Sequence, residues 1–211
     1  MNAQHIKSSL NPSLVITAFP GHFATRHSHN SHYIDITRIK HEHMMAREAA
    51  VILAQRYSYT DSIDTIVCMD GSEVIGAFLA RHLANKDRFN VNSDKNINVV
   101  TPEFDHTGQM IFRDNLVPMV AGKKVLLLIS TVKSGKTIAQ TLDCVSYYGA
   151  SVQGIATLFS TADEIHGIPV YSIFTPQDIP GYVTCDAKEC PMCKAGQKID
   201  ALANSYGFSQ L

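Results

Sequence analysis

The sequence predicts an α/β fold in which a doubly wound parallel sheet carries helices on both faces. Short apolar runs alternate with segments of helical periodicity along most of the 211 residues. The runs at 151–160 and 168–174 are apolar at consecutive positions, which is typical of strands buried on both faces. Ligands of such sheets bind beyond the carboxyl ends of the strands, so the turns after the strands are the candidate binding segments.

Periodicity and turn residues predict the individual elements. We predict helices at 42–57 and 74–83 and over Ile138–Val145, and strands at 63–68, 96–101, 124–130, 151–160 and 168–174. Gly149 is a suitable left-handed cap for the last helix. The polar stretch 102–115, with Gly108 at its middle, is expected to be a hairpin or a mobile loop.

Length, charge and cysteine content narrow the class of protein. With 211 residues, 45% of them hydrophobic, one compact domain over 1–211 is expected. A formal net charge of -1, with acids and bases mixed, lacks the basic surface of a nonspecific nucleic-acid binder. No apolar run approaches the roughly 18 residues of a membrane helix, and residues 1–10 lack a signal pattern, so we expect a cytoplasmic protein without a membrane partner. Five cysteines, with Cys68 and Cys144 in apolar segments, predict no disulfide framework.

The turn after the strand 124–130 is the main candidate for phosphate binding. It consists of Lys133, Ser134, Gly135, Lys136 and Thr137. Backbone N–H groups, hydroxyls and a helix N-terminus all favour an anion there. A P-loop would need glycine five positions before Gly135, where this chain has Ser130, so no P-loop is predicted. A helix capped by Ser134 after a buried strand would explain the same residues without a ligand.

A second candidate turn, 69–73, follows the strand 63–68 at the same sheet edge. Its binding residues are predicted to be Asp70, Gly71, Ser72 and Glu73. Gly71 would let the backbone approach a pyrophosphate, and Asp70 or Glu73 would hold a Mg²⁺ ion that bridges its oxygens. The alternative is a structural Asp-Gly turn in which Ser72 caps the next helix and Glu73 favours its positive end.

The C-terminal segment carries a candidate zinc site. Its ligands are predicted to be Cys185, Cys190 and Cys193, because Cys-Pro-Met-Cys spacing lets one turn present two thiolates to a structural Zn²⁺. His166, Asp186 or a residue of a second subunit would be the fourth ligand. Free or redox-active thiols are the alternative.

Histidines are concentrated near the N-terminus. The closely spaced ones are His27, His29, His32, His41 and His43. Loop histidines are usually solvated or bonded to the backbone, and we expect that here instead of metal binding.

Taken together, several segments resemble the type I phosphoribosyltransferases, and among them the orotate branch. The matching segments are 124–137 for the strand and 5-phosphate loop, 67–84 for the pyrophosphate loop and helix, 21–35 for the opening segment, and 189–196 for a Cys-Pro-x-Cys tail. The resemblance implies a type I phosphoribosyltransferase-like doubly wound parallel sheet with a small N-terminal hood. It divides the chain into a hood segment (1–40), a core (41–180) and a Cys-containing C-terminal tail (181–211).

The resemblance also implies an activity. Such a protein would transfer phosphoribosyl between pyrophosphate and a nucleobase in pyrimidine biosynthesis, with phosphoribosyl pyrophosphate and Mg²⁺, as a homodimer. The phosphate turn would hold the 5-phosphate and the turn 69–73 the pyrophosphate. Arg26, His27 and Ser28 would line the base side of the pocket.

Two departures from the family pattern concern catalysis. The paired acids that hold the ribose hydroxyls fall on Ile129 and Ser130, and the lysines of the orotate hairpin are replaced by Arg113 and His106 as the available cations. Each lost charge-assisted hydrogen bond would cost about 1.5–3 kcal/mol, so the loss of one or two of them would lower the transfer rate by roughly one to four orders of magnitude. The alternative function is therefore a non-catalytic module that senses phosphoribosyl pyrophosphate or a nucleotide.

Overall fold

A computed structural model describes residues 2–26, 28–133, 135–204 and 206–211, without the side chain of Lys136. His27 and Ser134 of the predicted sites therefore lie outside the described residues. No helix in these ranges is both long and apolar enough to cross a membrane.

The secondary structure begins and ends with strands. The strands are β1 (Gln4–Lys7), β2 (Val15–Ala24), β3 (His29–Asp35), β4 (Thr65–Cys68), β5 (Asn98–Val100), β6 (Glu103–Phe104), β7 (Met110–Ile111), β8 (Lys124–Val132), β9 (Ser151–Ser160), β10 (Glu164–Ile165), β11 (Ile168–Phe174), β12 (Thr184–Cys185), β13 (Ala201–Ala203) and β14 (Phe208–Gln210). The helices are α1 (Thr37–His41), α2 (His43–Tyr57), α3 (Glu73–Leu83), α4 (Val117–Val120), α5 (Lys136–Tyr147) and α6 (Pro191–Lys194), with 3-10 turns at Pro176–Asp178 and Ala187–Glu189.

A central sheet has the order β10-β11-β9-β8-β4-β5. Its strands β11, β9, β8, β4 and β5 run parallel, and only the edge strand β10 is antiparallel to its neighbour. Parallel neighbours require crossover connections. The helix α3 lies in the connection between β4 and β5 and α5 in the one between β8 and β9, whereas residues 161–167, with the short strand β10, join β9 to β11. The predicted α/β fold with a parallel sheet is confirmed.

Helices cover both faces of the central sheet. On β8, Leu126 and Leu128 are buried in a core shared with α2 and α3. Val125, Leu127 and Ile129 are buried in a second core shared with α5. Because successive strand residues point to opposite faces, a strand buried on both sides must be apolar throughout. The unbroken apolar run of β8 follows from this requirement.

A second sheet, here called the hood sheet, is built from both ends of the chain. Its strand order is β12-β3-β2-β13-β14, and β1 pairs with residues 15–18 of β2. Phe23, Tyr33 and Ala201 are buried in it, with Phe19 and Phe208 packed against them. The expected hood (1–40) and tail (181–211) thus share one sheet, while the division of the chain into these segments stays a prediction.

Most predicted elements of the central sheet are observed, with boundaries that differ by a few residues. Gly149 has a φ of 67° after α5, as a left-handed cap requires. The stretch 102–115 contains the antiparallel pair β6 and β7 with Gly108 at a φ of 82°, so the hairpin prediction is confirmed. The strands β1, β2 and β3 were not predicted.

Candidate functional site

A cleft of about 330 Å³ lies where the carboxyl ends of β4 and β8 face the hood sheet. One wall consists of residues 131–133, Gly135, Thr137 and Ile138, and Asp70 contributes from the turn after β4. The opposite wall comes from the hood, through Thr25, Arg26, Ser28, Ala203 and Asn204. The cleft therefore lies at the sheet edge where ligands of parallel sheets bind.

Lys133, Gly135 and Thr137 of the predicted phosphate turn (133–137) lie in the first of these walls. Gly135 precedes the first residue of α5 with a φ of 71°, a conformation that favours glycine. A Cβ atom on Gly135 would lie 3.2 Å from Cδ1 of Ile165, so the turn is also tightly packed. Gly135 and Thr137 line the cleft beside the N-terminus of α5, whose partial positive charge favours an anion.

Lys133 supplies positive charge to the same wall. It lines the cleft, and burial lowers the pKa of its ammonium group to about 8. None of the ion pairs within the described ranges involves Lys133. A partly buried cation that lacks a carboxylate partner is stabilised by any anion that enters the cleft.

The turn 69–73 is hydrogen-bonded to the middle of β8, at Leu128. The N–H of Met69 donates to the carbonyl oxygen of Leu128 at 2.8 Å, and the Ser72 hydroxyl donates to the same oxygen at 3.1 Å. Asp70 and Gly71 have φ values of 55° and 74°, two successive left-handed residues. This conformation directs Asp70 into the cleft, while Ser72 is buried behind it.

Glu73 lies outside the walls of the cleft. Its Oε1 accepts a hydrogen bond from the hydroxyl of Thr101 at 3.0 Å. Of the two carboxylates predicted for magnesium, the structure therefore brings only Asp70 to the cleft.

The hairpin within 102–115 contributes Phe104 to the lining of the cleft. Arg113, one of its two candidate cations, forms an ion pair with Glu103 at 2.8 Å.

Lys40 is a residue of this region that the sequence patterns did not reveal. Its side chain comes from α1, is 3% exposed, and donates through Nζ to the carbonyl oxygen of Asp70 at 2.8 Å. Burial lowers the pKa of the ammonium group, against the opposing effect of Asp70, Glu73 and Asp35. A lysine at a polar helix position has no distinctive spacing, so only the folded chain reveals a buried cation beneath the turn.

Ile129 and Ser130, the positions of the family's acidic pair, are both buried. Ile129 packs in the core shared with α5. Ser130 is 1% exposed, and its hydroxyl donates to the carbonyl oxygen of Asp70 at 3.1 Å. Ser130 therefore links the two strand ends, and neither position offers a carboxylate to the cleft.

Two of the three residues predicted for the base side lie at the cleft, and the third, His27, is outside the described residues. Arg26 and Ser28 line it together with Thr25. The loop is closed by hydrogen bonds from the N–H and the hydroxyl of Thr25 to the carbonyl oxygen of Ser28, at 2.8 and 2.9 Å. Asn204, which follows β13, completes this wall.

A separate cluster of histidine and cysteine side chains lies in the hood. His22, His29, Cys190 and Cys193 bring one candidate ligand atom each to within 4.8 Å of one another. Cys185 is outside this set, and its thiol contacts the carbonyl oxygen of His29 at 3.8 Å. The grouping thus differs from the predicted set of three cysteines.

Two of the closely spaced histidines lie in a buried strand and not in a loop. His29 and His32 belong to β3 and are 9% and 6% exposed, so the expectation of solvated loop histidines is wrong for them. His41 and His43 are exposed, as expected. His22 is fully buried and was missed, because no spacing rule connects it to cysteines more than 160 residues away.

A network of donors surrounds the Cys190 thiol. Burial acts to raise its pKa, but the N–H groups of Cys193 and Met192 and the contact with His29 outweigh that effect and lower the pKa to about 6. The folded hood therefore favours the thiolate form of Cys190 at neutral pH.

Comparison with known proteins agrees with this architecture. The family model described as phosphoribosyl transferase domain matches residues 35–183 of this chain. The chain belongs to this family. Among solved structures, the adenine phosphoribosyltransferase of Thermoanaerobacter pseudethanolicus aligns with a TM-score of 0.51 and 16% identity over 82% of this chain and 95% of that one.

Two further structures give similar values. The orotate phosphoribosyltransferase of Mycobacterium tuberculosis aligns with a TM-score of 0.51 and 16% identity over 71% of this chain and 83% of that one. A phosphoribosyltransferase from Corynebacterium diphtheriae aligns with a TM-score of 0.51 and 17% identity over 77% and 90% of the two chains. At such identities the likeness shows a shared fold, and it includes enzymes named for two different bases.

Proposed function

We propose that this protein binds phosphoribosyl pyrophosphate, or the 5'-phosphate of a nucleotide, in the cleft and transfers phosphoribosyl between pyrophosphate and a nucleobase. The observation that carries the proposal is the placement of Lys133 beside Gly135 and the N-terminus of α5. A cation, a glycine turn and a helix dipole at one point form a site for a phosphoryl group. Family membership supports the transfer reaction.

The hood side of the cleft favours a nucleobase that carries a carboxylate group. Arg26 lies in the wall opposite the phosphate turn, and its side chain is exposed to an incoming ligand. A guanidinium group pairs well with a carboxylate, which orotate has and adenine lacks. We therefore propose orotate as the base, with a role in pyrimidine biosynthesis.

Magnesium fits this cleft through a single residue. Asp70 is the acidic side chain among the described residues that line it. Mg²⁺ usually binds one or two protein carboxylates and completes its shell with water and substrate phosphates. Asp70 would hold the ion, which would neutralise charge on the pyrophosphate of the substrate.

The buried pair Ile129 and Ser130 favours a second candidate function. A carboxylate that could hold the ribose hydroxyls is absent from both positions, and the Ser130 hydroxyl is already bonded to Asp70. A protein that retains the phosphate site without these carboxylates would bind the ligand and turn it over slowly or not at all. This second candidate is a sensor of phosphoribosyl pyrophosphate or a nucleotide on the same fold.

Calorimetry and a turnover assay test the two candidates together. The protein would be titrated with phosphoribosyl pyrophosphate and Mg²⁺, and pyrophosphate release would then be followed with orotate, adenine and other bases. Release that depends on orotate supports the transferase. Tight binding without release for any base supports the sensor.

Two lysines of β8 and its turn offer a matched pair of variants for this test. Lys133→Met should weaken binding by about 10- to 100-fold, because a charge-assisted contact contributes about 1.5–3 kcal/mol. Lys124→Met removes the same charge at the opposite, exposed end of β8 and should leave the affinity unchanged. Equal losses in both variants, or none in either, would remove the phosphate turn from the binding site.

Assembly and location complete the proposal. We propose a homodimer in the cytoplasm, as the resemblance to orotate enzymes implies. Sedimentation velocity at several protein concentrations tests the dimer, and a single species at the monomer mass would contradict it.

A further inference from the structure

The cluster in the hood has the spacing of a metal centre. Nε2 of His22 lies 3.0 Å from Nδ1 of His29, 3.5 Å from Sγ of Cys190 and 3.6 Å from Sγ of Cys193. Nδ1 of His29 lies 3.3 Å from Sγ of Cys193. Zinc bonds of about 2.0–2.1 Å to nitrogen and 2.3 Å to sulfur, at tetrahedral angles, place two nitrogens about 3.3 Å apart, a nitrogen and a sulfur about 3.6 Å apart and two sulfurs about 3.8 Å apart. The three nitrogen–sulfur distances are within about 0.3 Å of these values, the nitrogen–nitrogen distance is slightly shorter, and all four atoms lie within 4.8 Å of one another, so small shifts would let them share one ion.

The tautomer of His22 directs a lone pair into this point. Its Nδ1 lies 3.1 Å from the carbonyl oxygens of both Gln197 and Lys198, and carbonyl oxygens only accept hydrogen bonds. Nδ1 must therefore carry the proton, which leaves Nε2 of the neutral ring as an acceptor. One lone pair cannot make separate bonds to three neighbours, but it can bind one ion that they share. Histidines that bind metals are usually held by such a carbonyl contact.

The backbone around His22 is held by a β-bulge and by hydrogen bonds to the C-terminal segment. A bulge in β2 between Pro20 and Phe23 removes His22 from the pairing with β3. Its freed N–H and carbonyl groups bond instead to Asp200, at 2.7 and 2.8 Å. A Cβ atom on Gly21 would lie 3.0 Å from Oδ2 of Asp200, so a larger residue there would press on this carboxylate. The bulge thus joins the N-terminal hairpin to the C-terminal segment beside the cluster.

The tail presents both thiols from one turn. Sγ of Cys190 accepts a hydrogen bond from the N–H of Cys193 at 3.5 Å, and α6 spans the residues between them. Cys190 is fully buried, whereas Cys193 closes the cluster from the solvent side. A set of two cysteine and two histidine ligands favours zinc among the common metals.

We propose that His22, His29, Cys190 and Cys193 form a structural Zn²⁺ site that fastens the C-terminal segment to the β2–β3 hairpin. All four positions of the tetrahedron come from the protein, as in closed structural sites, so no coordination position remains for a substrate. Cys185, His166 and Asp186 are not needed as ligands.

The proposed zinc ion would also stabilise the hood wall of the cleft. His22 and His29 flank the loop 25–28, which lines the cleft on the base side. Asp200, bonded to His22, leads directly into β13 and the lining residue Asn204. Both hood segments of the cleft wall are therefore anchored within a few residues of the cluster, and loss of zinc would loosen them together.

Metal analysis of the full-length protein tests the proposal. After purification under reducing conditions and dialysis against metal-free buffer, plasma mass spectrometry should find about one zinc per chain. Cys193→Ser and His29→Ala should each lose it, with a fall in affinity beyond the ~10–100-fold that loss of an outer-shell partner costs. Cys185→Ser is the matched control, because its thiol lies beside the cluster but outside it, and it should retain zinc.

Cobalt substitution keeps the test valid if a ligand variant fails to fold. Co²⁺ added to the zinc-free wild-type protein should give the visible bands of a tetrahedral site together with thiolate charge-transfer absorption. Hydrogen exchange at the loop 25–28 and at 200–204 should become faster on removal of zinc and slow again when it is restored. Wild-type protein without zinc or a tetrahedral cobalt spectrum, a different native metal, or loss of zinc in Cys185→Ser would overturn the proposal.

Discussion

The two walls of the cleft are constructed in different ways. The sheet-edge wall consists of short continuous segments, because the turns 69–73 and 133–137 each follow a strand directly. The hood wall joins distant parts of the chain, and its His22–Cys190 contact spans 168 residues. The first wall depends on local backbone geometry, and the second depends on which parts of the chain meet.

This difference explains where each wall is vulnerable. The sheet edge lies over two apolar cores, so its turns are sensitive to changes in packing volume. The hood has a smaller aromatic cluster and a histidine-cysteine cluster, so its stability depends on a few specific contacts. Variants in each region can therefore separate the two modes of construction.

The largest effect is expected where α3 crosses the central sheet. A Cβ atom at Gly76 would overlap Sγ of Cys68 and lie 3.2 Å from Cγ1 of Val99. Gly76→Val should lower the free energy of unfolding by about 3 kcal/mol, because overpacking exceeds the few tenths that valine gains over glycine in a helix. Denaturant unfolding measures this change.

Gly207 is the matched control in the hood. A Cβ atom there would have no heavy atom within 4 Å. Gly207→Ala should change the free energy of unfolding by less than about 0.5 kcal/mol. Similar destabilisation by both substitutions would contradict the distinction between a tightly packed edge and an open hood loop.

An intermediate effect is expected for the aromatic contact that holds the last strand. The ring of Phe208 lies 4.9 Å from that of Tyr33 and 5.6 Å from that of Phe23, measured between centroids. Phe208→Ala should cost about 1–2 kcal/mol, less than the ~3–5 kcal/mol of a fully buried phenylalanine. Hydrogen exchange should show faster opening in β13 and β14 than in β8, and uniform acceleration in all three strands would argue against a separately stabilised hood.

The smallest effect concerns pH and the phosphate turn. Burial lowers the pKa of Lys133 from 10.5 to about 8, so the folded protein loses this charge as the pH rises through 8. Affinity for a phosphate ligand should be constant just below that pH and fall by up to about tenfold per unit above it. Calorimetry across this range measures the change.

The lowered pKa of Lys133 makes ligand affinity fall with rising pH, but it makes the free energy of unfolding rise. Between pH 8 and 10.5 the unfolded chain binds more protons at Lys133 than the folded chain does, so this group makes the free energy of unfolding rise with pH. Lys133→Arg keeps its charge throughout and should remove both dependences. A pH profile that persists in this variant would assign the titration to another group.

Sequence patterns were sufficient for the sheet edge. The apolar runs of β4, β8 and β9 and the caps of their helices are local signals, and the turns they predict do flank one cleft. The patterns did not indicate β1, β2 and β3, because Pro20 and Gly21 interrupt the apolar run of β2, and such residues are unfavourable in strand interiors. These strands pair locally with one another, but the sheet that they form is completed by β12 and β13 from the far end of the chain. They also missed Lys40 and His22, whose importance depends on burial.

The sequence by itself determined the parallel α/β architecture and the position of the glycine turn before α5, the candidate phosphate site, since both follow from periodicity and glycine placement within a few dozen residues. Only the tertiary structure decided which side chains meet in the hood. Cys190 and Cys193 pair with His22 and His29 because β13 runs beside β2. A contact between the two ends of a chain has no periodic signal, since chain folding alone sets the distance between them.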